Sequence, residues 1–339
     1  MKKKPIIFVL ELFIPVIVLL LYYVLTDPFK FIRHYDAYYA EDGVALVDMN
    51  NDYVSTCTYD NWHDKYGYNS FIFGNSRSRY YMVDDWKQYL DSTSSCFHMD
   101  ASNETLRGIY LKLKYIDNTS EIRNCLLIMD NSILSSDQCR TDSYLFFPSP
   151  QTTPEHDGLK FQVSGIKTFL NPKFLFAYTD LLITGKVKPY MRKWKVFNEN
   201  ERHYDYVTNE TTYPARDAII ANGDYYTDRI LNAFPKNRPS DQQYAEPVLA
   251  EHHIQLLREI RQVFSDNNTN YKLIISPAYD QVKLAESDYA ILKEMFGSES
   301  VFDFSGINDI TQDYHNYYDF SHYTSDVCSY ILNCAYSQK

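Results

Sequence analysis

Residues 68–80 read YNSFIFGNSRSRY: a short apolar run of strand character, 68–73, breaks at Gly74 and presents Asn75 and Ser76. A serine there sits at the carboxyl end of a strand, the edge at which open α/β sheets bind ligands, on a turn tight enough to hold its hydroxyl clear. Outward from this stretch, helix and strand signals alternate. A helix is expected over 78–90, a strand over 95–99, a helix over 103–115 and a buried strand over 124–129. This βαβαβ order predicts a parallel sheet with helices on both faces, because parallel strands need crossovers and the crossovers cover the sheet. The pattern resumes with a helix over 246–264 and a strand over 271–276, ended by Pro277. A helix over 278–296, a strand over 301–304 and a last helix capped by Thr324 complete it.

Serine is a weak nucleophile without a base. Asp319-Phe320-Ser321-His322, in YYDFSHYTSD, supplies one just ahead of the last helix. Three residues of separation in a loop let the carboxylate reach the ring nitrogen that faces away from a serine, which fixes the tautomer. His315 is a rival base, although Asp313 is spaced less well for it, and Ser78 is a rival nucleophile better placed to start the helix. Arg77 and Arg79 are either ligands for an anionic substrate or solvated side chains at a helix start.

A Gly-Asp/Asn-Ser turn after the first strand, paired with Asp-x-x-His before the last helix, resembles the SGNH (GDSL-like) hydrolase superfamily. It is also similar to the membrane-anchored bacterial O-acyltransfer proteins of the alginate-acetylation and teichoic-acid D-alanylation type. The resemblance implies a three-layer αβα, flavodoxin-like fold with Ser76 as nucleophile, His322 as general base and Asp319 as its orienter. It implies oxyanion donors at two further places. The family's second block has a glycine after strand two where this chain has Asp100-Ala101-Ser102-Asn103, so the Ser102 N–H stands in for it. The third block has Gly-x-Asn where this chain has Met129-Asp130-Asn131, so Asn131 is the expected side-chain donor. The reaction implied is ester hydrolysis or O-acyl transfer on a cell-surface glycan or related envelope polymer, with a multi-spanning acyl donor protein as partner and no metal or organic cofactor. The alternative is a non-catalytic glycan-binding or scaffold protein on the same fold.

Lys2, Lys3 and Lys4 precede a run over 5–26 that is apolar except for Glu11. Its length suffices to cross a hydrocarbon core of about 30 Å at about 1.5 Å per residue. The lysines orient the N-terminus inward, placing the rest of the chain outside the cytoplasm. The expected organisation is therefore an anchor over 1–26, a stalk and entry segment over 27–66, and the α/β domain over 67–339. An insertion with some helices of its own occupies about 131–245, since a structureless loop of that length does not suit a compact domain. A formal net charge of −11 argues against a nucleic-acid partner, which depends on Lys and Arg displacing counterions. The six cysteines permit Cys57–Cys96 and Cys125–Cys139 bridges without requiring them.

Overall fold

The computed structural model describes residues 4–153, 158–236 and 238–337, with side chains from residue 13 onward. Its centre is a sheet of β1 (Ser70–Gly74), β2 (Cys96–Asp100), β3 (Asn124–Met129), β4 (Asn270–Ile275) and β5 (Val301–Asp303). All pairings are parallel, and the spatial order is β2-β1-β3-β4-β5. This is the flavodoxin-like order, in which the chain reverses direction across the sheet between β1 and β3 and opens a crevice at their carboxyl ends.

The helices include α1 (Lys4–Thr26), α2 (Asn51–Tyr66), α3 (Val83–Lys87), α4 (Leu106–Asp117) and α5 (Gly158–Phe169). They continue with α6 (Pro172–Thr184), α7 (Pro189–Trp194), α8 (Glu251–Asp266), α9 (Glu286–Phe296) and α10 (Ser325–Tyr336). Every residue of β1 and β3 is buried, so both faces of the sheet must be covered. Alternate strand residues serve the two faces. Phe71, Phe73, Leu127, Met129, Leu273 and Ile275 pack with side chains from α2, α4, α8 and α9. Ile72, Leu126, Ile128 and Ile274 pack on the other face with α3 and α10. In α4, Leu106, Ile109, Leu113 and Ile116 recur at helical spacing on the core side, and the Thr105 hydroxyl accepts from the Gly108 N–H at 2.9 Å to start the helix.

Four stretches depart from the expected outline. The helix expected over 78–90 is a 3-10 turn, Ser76–Ser78, followed by the short α3, because the Ser78 hydroxyl turns back onto the Asn75 carbonyl. Of the helix expected over 278–296, only α9 forms; Val282–Lys283 instead pairs with Gln243–Tyr244. Residues 27–66, expected as a stalk, include α2, whose Tyr59 lies in the core. The insertion carries α5 to α7 and the strands Glu201–Asp205 and Glu210–Thr212, and Asp42–Val44 from the entry segment pairs with the first of these. Entry segment and insertion thus fold together.

The expected span over 5–26 falls on α1, but the side chains up to residue 12, Glu11 included, lie outside the described residues. No helix among the described residues is long and apolar enough to cross a membrane. All six cysteines are free thiols.

Candidate functional site

β1 ends at Gly74, where a Cβ would lie 2.7 Å from the Ser78 Cβ and 2.9 Å from the Ile128 carbonyl oxygen. Only glycine lets the chain turn this closely over β3. The Asn75 amide then fixes the turn from both ends, its Oδ1 accepting from the Arg77 N–H at 3.0 Å and its Nδ2 donating to Asp130 Oδ2 at 2.6 Å. Ser76, half-buried, is left at the head of the turn.

Opposite it, Tyr317–Asp319 and His322–Tyr323 form a small antiparallel hairpin. Asp319 Oδ1 accepts the backbone N–H groups of Ser321 at 2.7 Å and His322 at 2.9 Å, which curls the loop until the two side chains meet. Both carboxylate oxygens lie 2.9 Å from His322 Nδ1. An ionised carboxylate can only accept, so Nδ1 carries the proton and Nε2 is free to accept. Nε2 lies 2.8 Å from Ser76 Oγ. Burial works against the Asp319 charge, but the hydrogen bonds from the His322 ring and from the Ser321 and His322 backbone hold its carboxyl below the usual range. The Tyr318 ring stacks on the imidazole, nearly parallel to it at a centroid distance of 5.4 Å, and Arg216 covers the Tyr318 ring at 3.9 Å.

The arrangement brings together a hydroxyl, an imidazole oriented to take its proton, and a carboxylate able to support the imidazolium. Its rivals lie elsewhere. His315 pairs with Asp313 at 2.7 Å in the open. Ser78 is fully buried, its hydroxyl donating to the Asn75 carbonyl at 2.8 Å and meeting His98 Nε2 at 3.0 Å. His98 is enclosed on β2, and burial pushes its pKa down to about 4.

The remaining expected residues divide. Arg77 does not point at open solvent. It pairs with Asp130, and its Nε donates to the Ser321 carbonyl at 2.9 Å, so it joins the serine turn to the histidine hairpin. Asp130, which the sequence reading passed over, is the residue that β3 delivers to the site. Its burial favours the neutral acid, yet Arg77, the Ser132 hydroxyl and the Ile133 N–H hold it ionised. Asn131, one residue on, is exposed and begins a single helical turn, Asn131–Leu134. Neither it nor Ser102 hydrogen-bonds Ser76, whose hydroxyl meets only His322 among the described residues. Asn131 lines a cavity of about 410 Å³ with Arg77, Ser276 and Lys283.

Arg79 faces a different cavity of about 240 Å³, with Asp100, Ser102, Tyr213 and Arg202. Arg202 comes from the insertion, on Glu201–Asp205. Its side chain is 7% exposed, it lies over the Tyr39 ring at 4.9 Å, and Asp48 is 3.9 Å away. Its Nε and Nη2 meet no acceptor among the described residues. No local pattern marks Arg202, since only the insertion's packing brings it to the sheet edge. Asp137, His252 and His253 are the one group with metal-ligand proximity among the described residues. Both ring nitrogens of His253 are engaged there, by the Ala250 N–H and the Ser135 carbonyl, so it is not an open ligand.

Neither a scan against models of protein families nor a search of curated proteins returns a match to this chain.

Proposed function

We propose that this chain is an extracytoplasmic serine esterase or O-acyltransferase of SGNH type, acting on a cell-surface glycan or related envelope polymer. The observation that carries the reading is the relay from Ser76 Oγ through His322 to Asp319, with contacts of 2.8 and 2.9 Å. The flavodoxin-like strand order, with the serine turn at the carboxyl edge of β1, supports it. In the first half-reaction Ser76 Oγ attacks an acyl carbonyl and His322 Nε2 takes the hydroxyl proton. The tetrahedral intermediate then expels the alcohol, which leaves with that proton, and an acyl-serine remains. In the second half-reaction a glycan hydroxyl or water, deprotonated by His322, attacks the acyl-serine and frees Ser76. No metal or organic cofactor enters these steps. Arg79 and Arg202 receive an anionic group of the substrate, a role supported by the unpartnered Arg202 donors.

Anchorage through α1, with the N-terminus cytoplasmic, belongs to the same reading. It is supported by Lys2, Lys3 and Lys4 and by exposed Phe13, Ile14, Ile17, Leu21 and Leu25 along the helix. A multi-spanning acyl donor protein is the fitting partner for an anchored transferase. The test treats the purified full chain with a fluorophosphonate probe and short-chain p-nitrophenyl esters, beside Ser76→Ala and His322→Ala. Labelling and turnover are expected in the wild type alone. Equal values in wild type and Ser76→Ala would remove Ser76 from the chemistry.

One observation favours a second reading: Asn131, the expected side-chain oxyanion donor, is exposed on its helical turn, and Asp130 takes the inward position at the end of β3. On this reading the domain holds glycan or an assembly partner without turning it over. Retention of an envelope polymer by a chain that neither labels nor hydrolyses esters would select it.

A further inference from the structure

α5 and α6 pack against the last turns of α1, and α7 packs on α6. Tyr22 OH donates to Thr179 Oγ1 at 3.0 Å, and the Tyr22 and Tyr23 rings lie 5.4 and 5.3 Å from that of Phe169. Gly165 permits the approach, since a Cβ there would stand 2.5 Å from the Tyr23 hydroxyl. Just beyond α1, the buried Asp27 carboxylate accepts from the N–H groups of Phe31 at 2.8 Å and Arg33 at 3.0 Å, folding the chain back into the same cluster. The insertion is therefore fixed at the height where α1 ends. From residue 5 to Tyr22 the helix rises about 26 Å at about 1.5 Å per residue, close to the thickness of a hydrocarbon core.

α6 buries Phe174, Ala177, Tyr178 and Leu181 inside the insertion, yet Phe176, Leu182 and Ile183 remain 60%, 52% and 78% exposed. Phe176 gathers Tyr190 and Trp194 of α7 around it, with centroid distances of 5.7 and 6.3 Å. The charge here runs against that of the whole chain. Between residues 158 and 197 there are eight lysines and arginines and a single acid, Asp180, in a chain of formal charge −11. Lys188 and Tyr190 both bind that acid at 2.6 Å. Lys173, Lys186, Lys193 and Lys195 are left exposed around the apolar side chains.

We propose that α6 and α7 form a platform that lies on an anionic lipid bilayer. Phe176, Leu182 and Ile183 enter the acyl region, Tyr190 and Trp194 sit at headgroup level, and the lysines meet lipid phosphates. The platform rests on the reading of α1 as an anchor, because α1 sets its height. It would hold the rest of the domain at one orientation to the membrane, where a tether alone would leave it free to turn.

The test reconstitutes the full chain in vesicles made of equal phosphatidylcholine and phosphatidylglycerol with brominated acyl chains, and reads tryptophan fluorescence. Of the three tryptophans, Trp86 is fully buried and Trp62 packs on the sheet core, so lipid contact is expected at Trp194. Bromolipid should quench the wild type several-fold more than Trp194→Phe. The double variant Phe176→Glu, Ile183→Glu should lose that quenching while its circular dichroism stays the same. Vesicles of phosphatidylcholine alone should quench less, and equal quenching would overturn the electrostatic part. Extraction in alkaline carbonate reads the anchor separately. A chain that resists extraction while Trp194 stays unquenched keeps its anchor and overturns the platform, leaving the face for a protein partner. A chain that is extracted, yet binds the anionic vesicles with Trp194 quenched, overturns the anchor and keeps the platform.

Discussion

Arg77 Nε donates to the Ser321 carbonyl at 2.9 Å, across 244 residues of chain, while the same guanidinium pairs with Asp130. The serine turn, the end of β3 and the histidine hairpin are thereby held as one body. Arg77 is a positioning residue, and its loss should act on orientation. Arg77→Met is expected to lower kcat for p-nitrophenyl acetate about 10- to 100-fold with KM nearly unchanged. It also leaves Asp130 buried without its cation, at a cost of about 2–4 kcal/mol in urea unfolding. Adding Asp130→Asn should recover part of that stability and none of the rate. Asp130 has a depressed pKa, so its contribution is complete above the unfolded carboxyl value and fades as pH falls through the folded one. Arg77→Met should flatten that acid limb.

His98 predicts a second pH dependence. Burial lowers its pKa from 6.5 to about 4, so between those values the unfolded chain binds a proton that the folded chain refuses. Stability is then full above the unfolded pKa and declines as pH falls toward 4. A shift of this size makes the fold about 2 kcal/mol weaker at pH 5 than at pH 7 through this one group. His98→Gln, which can still donate to the Ser78 hydroxyl, should remove that difference. An unchanged slope between pH 7 and pH 5 would mean that His98 is not the group responsible.

The strands most legible in the sequence, β1 and β3, are those buried on both faces, where a continuous apolar run is the only sequence that fits. Ser76, Asp319 and His322 were legible for a related reason: strand and helix ends are marked locally, and the fold brings those ends to one edge. The helix expected over 78–90 failed because the Ser78 hydroxyl competes for the backbone, a choice that depends on His98 of the neighbouring strand. At the end of β3, family spacing drew attention to Asn131, while the side chain that turns inward is that of Asp130. The packing of the insertion was illegible because Phe161, Phe169 and Phe174 pack with Tyr23 and Phe29, more than a hundred residues away, and no local period records that contact.

Ser76 and Ser78 should separate chemistry from stability. Ser76→Ala removes the covalent route and should cost about three orders of magnitude or more in ester turnover, about 4 kcal/mol in the transition state, while unfolding stays within about 0.5 kcal/mol of wild type. Ser78→Ala should do the reverse. It leaves a buried His98 N–H without its acceptor, at about 1–2 kcal/mol of stability, and keeps turnover within a few-fold.

Arg202 should show opposite signs in stability and binding. Its guanidinium is buried with two nitrogens that meet no acceptor among the described residues, an arrangement that costs the folded protein the desolvation of a charge without full compensation. The Tyr39 ring at 4.9 Å and Asp48 at 3.9 Å offset part of that cost. Arg202→Met fills a similar volume without charge and is expected to raise unfolding stability by about 1–3 kcal/mol. If the cavity it shares with Arg79 receives an anionic group, the same change should raise KM for an acidic glycan acceptor about 10- to 100-fold, at the 1.5–3 kcal/mol range of charge-assisted hydrogen bonds. KM for a neutral acceptor should hardly move. Urea unfolding and acceptor kinetics on the same preparations decide it. A stabilised variant that binds acidic and neutral acceptors as the wild type does would leave Arg202 without a role in recognition.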